Sequence, residues 1–232
     1  MRKILFIALF LPMAVLAAAT GARLDRSPHD TRDLASLQAG ARTYVNYCLG
    51  CHSLQYMRYS SLTHIGLSET QVKDYLLFTA DKVGEPIRAP LEVKAAKGWF
   101  GVNPPDLSVI ARVRGADWLY TYLRTFYRDP KTVTGWNNAA FPNVAMPHAL
   151  WQLQGEMGYD AEKKAFSEKS KGAQSRTEYD ATVRDLVNFL AWIGEPAAAE
   201  RRSLGIVVLL VLALVFFPLT YWLKKEYWKD VK

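Results

Sequence analysis

Two cysteines and a histidine carry the clearest chemistry in this 232-residue chain, in the run Cys48-Leu49-Gly50-Cys51-His52. They are the chain's only two cysteines. Two thiols three residues apart can add to the two vinyl groups of a haem, while the adjoining imidazole meets the iron from the proximal face. A plain disulfide is one alternative in an exported protein. A thioredoxin-like redox pair calls for a strand–helix unit around it, and none is visible. A structural zinc site needs two further ligands from His29, His64 or His148, which lie at no familiar spacing.

A haem iron held by His52 has a second axial position to fill. Met13 lies in an apolar leader, Met57 follows His52 by only five residues and is tied to the same face, and Met157 sits between Glu156 and Gly158 in a flexible context. Met146 lies in Phe141-Pro142-Asn143-Val144-Ala145-Met146-Pro147-His148, where two prolines stiffen the loop. Met146 is therefore the candidate ligand and His148 the runner-up; ordinary packing is the alternative for Met146. A thioether opposite a histidine favours the ferrous state and a high potential, which suits electron transfer.

The elements that must position these groups read as helices. Leu37, Ala41, Tyr44, Val45 and Cys48 mark an apolar face that ends at the cysteine run. Ser68-Glu69-Thr70-Gln71 is a capping box opening a helix towards Asp81. Trp118, Leu119, Tyr122, Leu123 and Phe126 give a helix over 117–127, stopped by Asp129-Pro130. Ser175 and Glu178 form a second capping box, before a helix through Val183, Leu186, Val187, Leu190 and Ala191 that ends at Gly194 and Pro196. Residues 154–176, rich in Lys, Glu, Ser and Gly, read as a surface loop. No alternating strand pattern and no internal repeat is evident, and no nucleophile–base set or phosphate-cradling loop is found.

The net charge of +7 suggests a nucleic-acid binder until it is located. Residues 23–200 hold 21 basic and 20 acidic side chains, so the excess lies at the two ends. A folded nucleic-acid module carries its basic stripe on the body, and that function is excluded. Arg2 and Lys3, the thirteen apolar residues Ile4–Leu16 and Ala17-Ala18-Ala19 form a signal peptide over 1–19 that is cleaved on export; a retained anchor is the alternative. Ser203–Leu223 lacks any charge, and fourteen of the twenty residues Leu204–Leu223 are Leu, Ile, Val or Phe. That length matches one bilayer crossing. Tyr221, Trp222, Tyr227 and Trp228 form an interfacial belt at its far end. The domains expected are an exported body over 20–200, a transmembrane helix over 203–223 and a basic cytoplasmic tail over 224–232.

Five features together resemble the cytochrome c1 family. They are the Cys48–His52 run, Asn103-Pro104-Pro105-Asp106-Leu107-Ser108, Gly115-Ala116-Asp117-Trp118, Phe141-Pro142-Asn143 with Met146-Pro147, and the C-terminal apolar segment. The similarity runs from about Leu34 to the C-terminus. It implies a mostly α, class I cytochrome c-like haem domain with one C-terminal transmembrane helix, carrying one covalently attached haem c. The family packs its attachment helix on its last helix, here Gly40 and Tyr44 against Leu186 and Leu190. Met146 matches the axial methionine, and Pro104-Pro105 matches the segment on the histidine side of the haem, where a carbonyl accepts the His52 Nδ1–H. Arg114 matches the arginine that pairs with a haem propionate. The compact, Lys-rich segment before Ser175 departs from the family pattern.

The resemblance implies an electron-transfer subunit of the ubiquinol–cytochrome c oxidoreductase (bc1) complex, not a catalyst on its own. Its partners are cytochrome b and a Rieske iron–sulfur protein, with a cytochrome c as acceptor, in a dimeric complex. The short leader, without an Arg- and Ser-rich transit peptide, points to a bacterial inner membrane with the haem domain on the periplasmic side. A free-standing tethered cytochrome shuttle is the alternative. A haem sensor is more remote, because the nine residues Lys224–Lys232 are too few for an output domain.

Overall fold

The computed structural model describes residues 24–230. The signal-peptide assignment over 1–19, and the last two residues of the basic tail, lie outside the described residues. About half of the chain is helical, as expected, and the helices hold the core.

Helix α1 (Leu34–Tyr47) starts where the Asp33 side chain accepts from the Ser36 backbone N–H. Helix α7 (Arg176–Gly194) starts at the expected Ser175–Glu178 capping box. The two cross at Gly40, where a Cβ would stand 2.1 Å from the Asp185 carbonyl oxygen and 2.6 Å from Phe189 Cβ. Only glycine permits that approach. Around the crossing, Leu37, Ala41, Tyr44, Val183, Leu186, Val187 and Phe189 are buried. The expected pairing of α1 with the last helix of the body is therefore present, with the Gly40 contact on Asp185 and Phe189 instead of on Leu186 and Leu190. Polar side chains link the two helices at the rim: Ser36 Oγ donates to Asp185 Oδ1 (2.7 Å), and Asn188 Nδ2 donates to Ser36 Oγ and the Asp30 carbonyl.

Helix α2 (Glu69–Tyr75) begins at the Ser68 capping box but stops short of the Asp81 limit read from the sequence. Helices α3 (Val93–Phe100) and α4 (Ile110–Arg114) lead to α5 (Ala116–Arg124), which ends three residues earlier than its apolar pattern. Arg124 on α5 donates to Asp180 on α7 at 2.6 Å and to Asp25 at 2.8 Å, and Tyr179 Oη donates to the Leu123 carbonyl at 2.7 Å. These bonds fix α5 against α7.

Strands are present where none was read. β1 (Leu54–Arg58) pairs with β2 (Pro86–Ile87), and β3 (Phe126–Arg128) pairs with β4 (Trp136–Asn138), both antiparallel. Such short strands offer too few residues for a period of two to show. Phe126 and Tyr127, counted with α5, belong to β3. A four-residue helix, α6 (Trp151–Gln154), then leads into a hairpin of β5 (Gly155–Asp160) and β6 (Ala165–Lys171), so the loop expected over 154–176 is largely a β-hairpin. Every residue of β6 is exposed, so no apolar alternation could announce it. Its turn is made by Asp160 Oδ1, which accepts from the Glu162 and Lys163 N–H groups.

Beyond α7 the chain forms one long helix, whose Glu200–Tyr227 portion contains an 18-residue stretch of mean hydropathy 2.7, long and apolar enough to cross a membrane. It consists of α8 (Ala198–Val211), a π-helical turn (Leu212–Phe216) and α9 (Phe217–Tyr227). Pro218 supplies no N–H and its ring crowds the preceding turn, and the wider turn just before it makes the room.

Candidate haem-binding site

The cysteine run is the C-terminal continuation of α1. The Cys48 and Leu49 N–H groups both donate to the Tyr44 carbonyl, and those of Cys51 and His52 to the Cys48 carbonyl. The chain thus makes one further tight turn that brings His52 back under the helix end. Both cysteines are free, Cys48 buried and Cys51 exposed. Burial pushes the Cys48 thiol up to about 12, and partial burial raises that of Cys51.

His52 is held at both ends. Tyr44 Oη donates to its carbonyl at 2.6 Å, and its Nδ1 lies 2.7 Å from the Pro105 carbonyl oxygen. A carbonyl can only accept, so Nδ1 carries the proton and Nε2 keeps its lone pair. Burial lowers the imidazole pKa, opposed by the Pro105 bond and the charge of Asp106. The bond to Pro105 fixes the tautomer and the ring orientation, the arrangement that metal-binding histidines use. The expected proline-segment carbonyl is that of Pro105; Pro104, half-buried, precedes it.

The Pro105 carbonyl is placed by a clasp that was not foreseen. Leu107 N–H donates to the Ser53 carbonyl, Gln55 N–H to Asp106 Oδ2 and Tyr56 N–H to Ser108 Oγ. Asp106 Oδ1 also accepts from the Ser108 N–H at 2.8 Å, closing an Asx turn. Asp-x-Ser after two prolines was the available signal for Asp106 and Ser108.

Met146 is partly buried against the main core, the same cluster that contains Cys48. The Tyr122 hydroxyl donates to Met146 Sδ at 3.3 Å. Burial holds the Tyr122 phenol well above its usual range, so it remains a donor. The stiffness ascribed to Pro142 and Pro147 is shared with two buried asparagines. Asn138 Oδ1 accepts from the Ala140 and Phe141 N–H groups, and its Nδ2 donates to the Tyr122 carbonyl. Asn137 Oδ1 accepts from the Asn143 N–H, and Asn143 takes a left-handed φ of 61°. An Asn-Asn pair ahead of a proline-bearing loop was the signal that could have found them.

His148, the runner-up ligand, is 2% exposed and stacks on Phe126 at 4.8 Å, with Trp136 edge-on at 5.1 Å. Desolvation pushes its pKa down to about 4. Its ring is taken up by aromatic packing. Arg114 is exposed, with its guanidinium 5.0 Å from the Trp118 ring and 5.7 Å from that of Phe141, and it makes no ion pair among the described residues. It is therefore free to meet an anion beside the methionine loop.

No three His, Cys, Asp or Glu side chains gather into a metal-binding cluster among the described residues, so the zinc alternative has no ligand set. Two free thiols one turn apart, an imidazole whose Nδ1 is tied to a carbonyl, a thioether in a braced loop and a guanidinium without an ion pair among the described residues fit haem c. The model of the Cytochrome C1 family matches residues 25–231. The chain is 48% identical over 232 residues to a protein of Nitrosomonas europaea named ammonia monooxygenase gamma subunit, covering 100% of this chain and 99% of that one. It is 45% identical to cytochrome c1 of Allochromatium vinosum across the full length of both, and 26% identical to the mitochondrial cytochrome c1 haem protein of Saccharomyces cerevisiae over 88% of this chain and 70% of that one. The match over residues 25–231 and the full-length bacterial relative together show that this chain belongs to the cytochrome c1 family, the haem c subunit of the bc1 complex.

Proposed function

We propose that this chain is the membrane-anchored cytochrome that carries electrons from a Rieske iron–sulfur protein to a cytochrome c. Its body over 20–200 is exported to the periplasmic side of a bacterial inner membrane, 203–223 spans the bilayer once, and 224–232 remains in the cytoplasm. Cys48 and Cys51 attach one haem covalently, with His52 and Met146 as axial ligands and Arg114 on a propionate. Cytochrome b and the Rieske protein are its partners in a dimeric complex.

The observation that carries this reading is the 2.7 Å bond between His52 Nδ1 and the Pro105 carbonyl, directly after the paired thiols. Haem c supplies a one-electron couple that needs no bond-making. The protein's residues do the rest. Pro105 fixes the imidazole and raises its basicity. Met146 would hold the iron through its thioether, a ligand that favours the ferrous state. The apolar stretch of the Glu200–Tyr227 helix, none of it buried against the body, supports the anchor.

Mild detergent solubilisation, followed by identification of what co-purifies with the haem, tests the proposal. Recovery of a multi-span b-type cytochrome and an iron–sulfur protein, with quinol-dependent reduction of the Cys48/Cys51-bound haem, is expected. A lone protein that quinol fails to reduce in intact membranes overturns it in favour of a tethered shuttle.

A further inference from the structure

Tyr122 lies on a stripe of α5 and its flanks spaced by four residues, Arg114, Trp118, Tyr122 and Phe126. Its ring stacks on Trp118 at 4.7 Å and 11° and meets Phe126 edge-on at 5.0 Å. Held between two rings and 8% exposed, the side chain has little freedom. Its hydroxyl makes one bond, to Met146 Sδ at 3.3 Å. A buried phenol ordinarily finds a strong oxygen acceptor, as Tyr44 and Tyr179 do here, each on a backbone carbonyl. Tyr122 instead faces a thioether, which accepts weakly.

The same backbone ties donor and acceptor together. Asn138 donates to the Tyr122 carbonyl at 2.7 Å and accepts from the Ala140 and Phe141 N–H groups, at the start of the loop that bears the sulfur. Hydroxyl and sulfur are therefore placed relative to one another by a buried side chain, not by a chance surface contact.

We propose that Tyr122 is a positioning residue for the methionine ligand and a determinant of its donor strength. This rests on the reading of Met146 as an axial ligand. A thioether sulfur has two lone pairs. The Tyr122 hydroxyl engages one and leaves the other to the iron, so the thioether is oriented before the bond is made. The hydrogen bond also draws electron density from the sulfur. A poorer donor stabilises electron-deficient ferric iron less than ferrous iron, and the reduction potential rises.

The test uses the full chain in detergent-solubilised membranes and compares Tyr122→Phe, Tyr179→Phe and Met146→Leu. Tyr122→Phe removes one oxygen from a ring held by two neighbours. It should keep the haem and shift the reduction equilibrium threefold to tenfold towards ferric, up to ~59 mV for a one-electron couple. Added imidazole should then displace the sulfur at lower concentration, read from loss of the weak sulfur-to-iron absorption band. Tyr179→Phe deletes another buried hydroxyl, one bonded to the Leu123 carbonyl, and should lower Tm while leaving potential and imidazole sensitivity unchanged. If Met146→Leu abolishes the band but Tyr122→Phe behaves as the parent, the tyrosine proposal fails and the ligand assignment stands. An equal fall in potential in Tyr179→Phe also overturns it, as a general packing effect. A band that survives Met146→Leu defeats the ligand assignment, and this inference with it.

Discussion

His52 and Met146 stand on two halves of the body that are built differently. The histidine half is local. Cys48, Cys51 and His52 occupy five consecutive residues at the end of one helix, and backbone bonds to the Tyr44 and Cys48 carbonyls shape the turn. Its long-range tie is a clasp in which Leu107, Gln55 and Tyr56 N–H groups take part. The methionine half lacks such a frame. Its loop has no helix or strand around Met146, and side chains supply what regular structure does not: Asn137, Asn138, Tyr122 and two prolines. Where the chain runs through a helix end, spacing alone places the chemistry. Where it runs through a loop, each backbone group needs a separate partner.

The largest expected effect comes from the crossing beneath the histidine half. Gly40→Val would drive a branched side chain into the Asp185 carbonyl, which lies 2.1 Å from the position of a Cβ. Overpacking costs about 1–3 kcal/mol or more, and with backbone as the obstacle the helices must part. Haem-stained gels of membranes should show no holoprotein; normal accumulation would mean that α1 and α7 can separate without loss of the site.

The two proposed ligands come next. His52→Ala should remove the low-spin spectrum altogether, whereas Met146→Leu should keep haem attached with a lower potential and without the sulfur-to-iron band. Similar spectra from the two variants would contradict the asymmetry between the halves.

Asn138→Ala tests whether buried side chains hold the methionine loop. It leaves the Ala140 and Phe141 N–H groups without their acceptor and takes one of the donors from the Tyr122 carbonyl, which keeps Thr125. One buried unsatisfied group costs roughly 1–3 kcal/mol, and partial hydration of this loop brings the expected loss to about 2–4 kcal/mol. Thermal unfolding should register it, accompanied by weaker sulfur ligation. A stable variant with an intact band would show that the prolines suffice.

Asp106→Ala addresses the clasp and should be milder. The Gln55 and Ser108 N–H groups lose their acceptor, but Leu107 remains tied to Ser53, so about 1–2 kcal/mol is expected. Asp106 also raises the His52 pKa against burial. A loss larger than that of Asn138→Ala would reverse the order of the two halves.

The relation between spacing and legibility holds across the molecule. Both capping boxes, at Ser68 and Ser175, were readable because the motif is complete within four residues. The hairpin of β5 and β6 was not, since its exposed strand carries Lys, Glu and Ser, and its pairing is a property of two segments. Gly155, at φ 88°, sits against the Ser170 carbonyl, where a Cβ would be 2.2 Å away. That need for glycine is invisible without the partner strand. The end of α5 was misplaced for the same reason: Phe126 continues the helical apolar stripe but pairs with Asn138 in β3.

What the sequence by itself determined is the chemistry that lies within a few consecutive residues. This comprises the paired thiols with their histidine, the capped helices, the neutral body between charged ends and the apolar Ser203–Leu223 segment. Met146 and the Pro104-Pro105 segment were singled out by their prolines and the family resemblance, while the side chains and backbone groups they bond to were not. Tertiary structure alone decided that Pro105 accepts from His52, that Asp106 and Ser108 clasp it, that Asn138 and Tyr122 hold the sulfur, and that His148 packs among aromatic rings. The bond from His52 to Pro105 spans 53 residues, and that from Asn138 to Tyr122 spans 16. Such bonds form only after the helices have crossed and excluded water, because a polar group picks its partner by position in the folded chain and not by its neighbours in sequence.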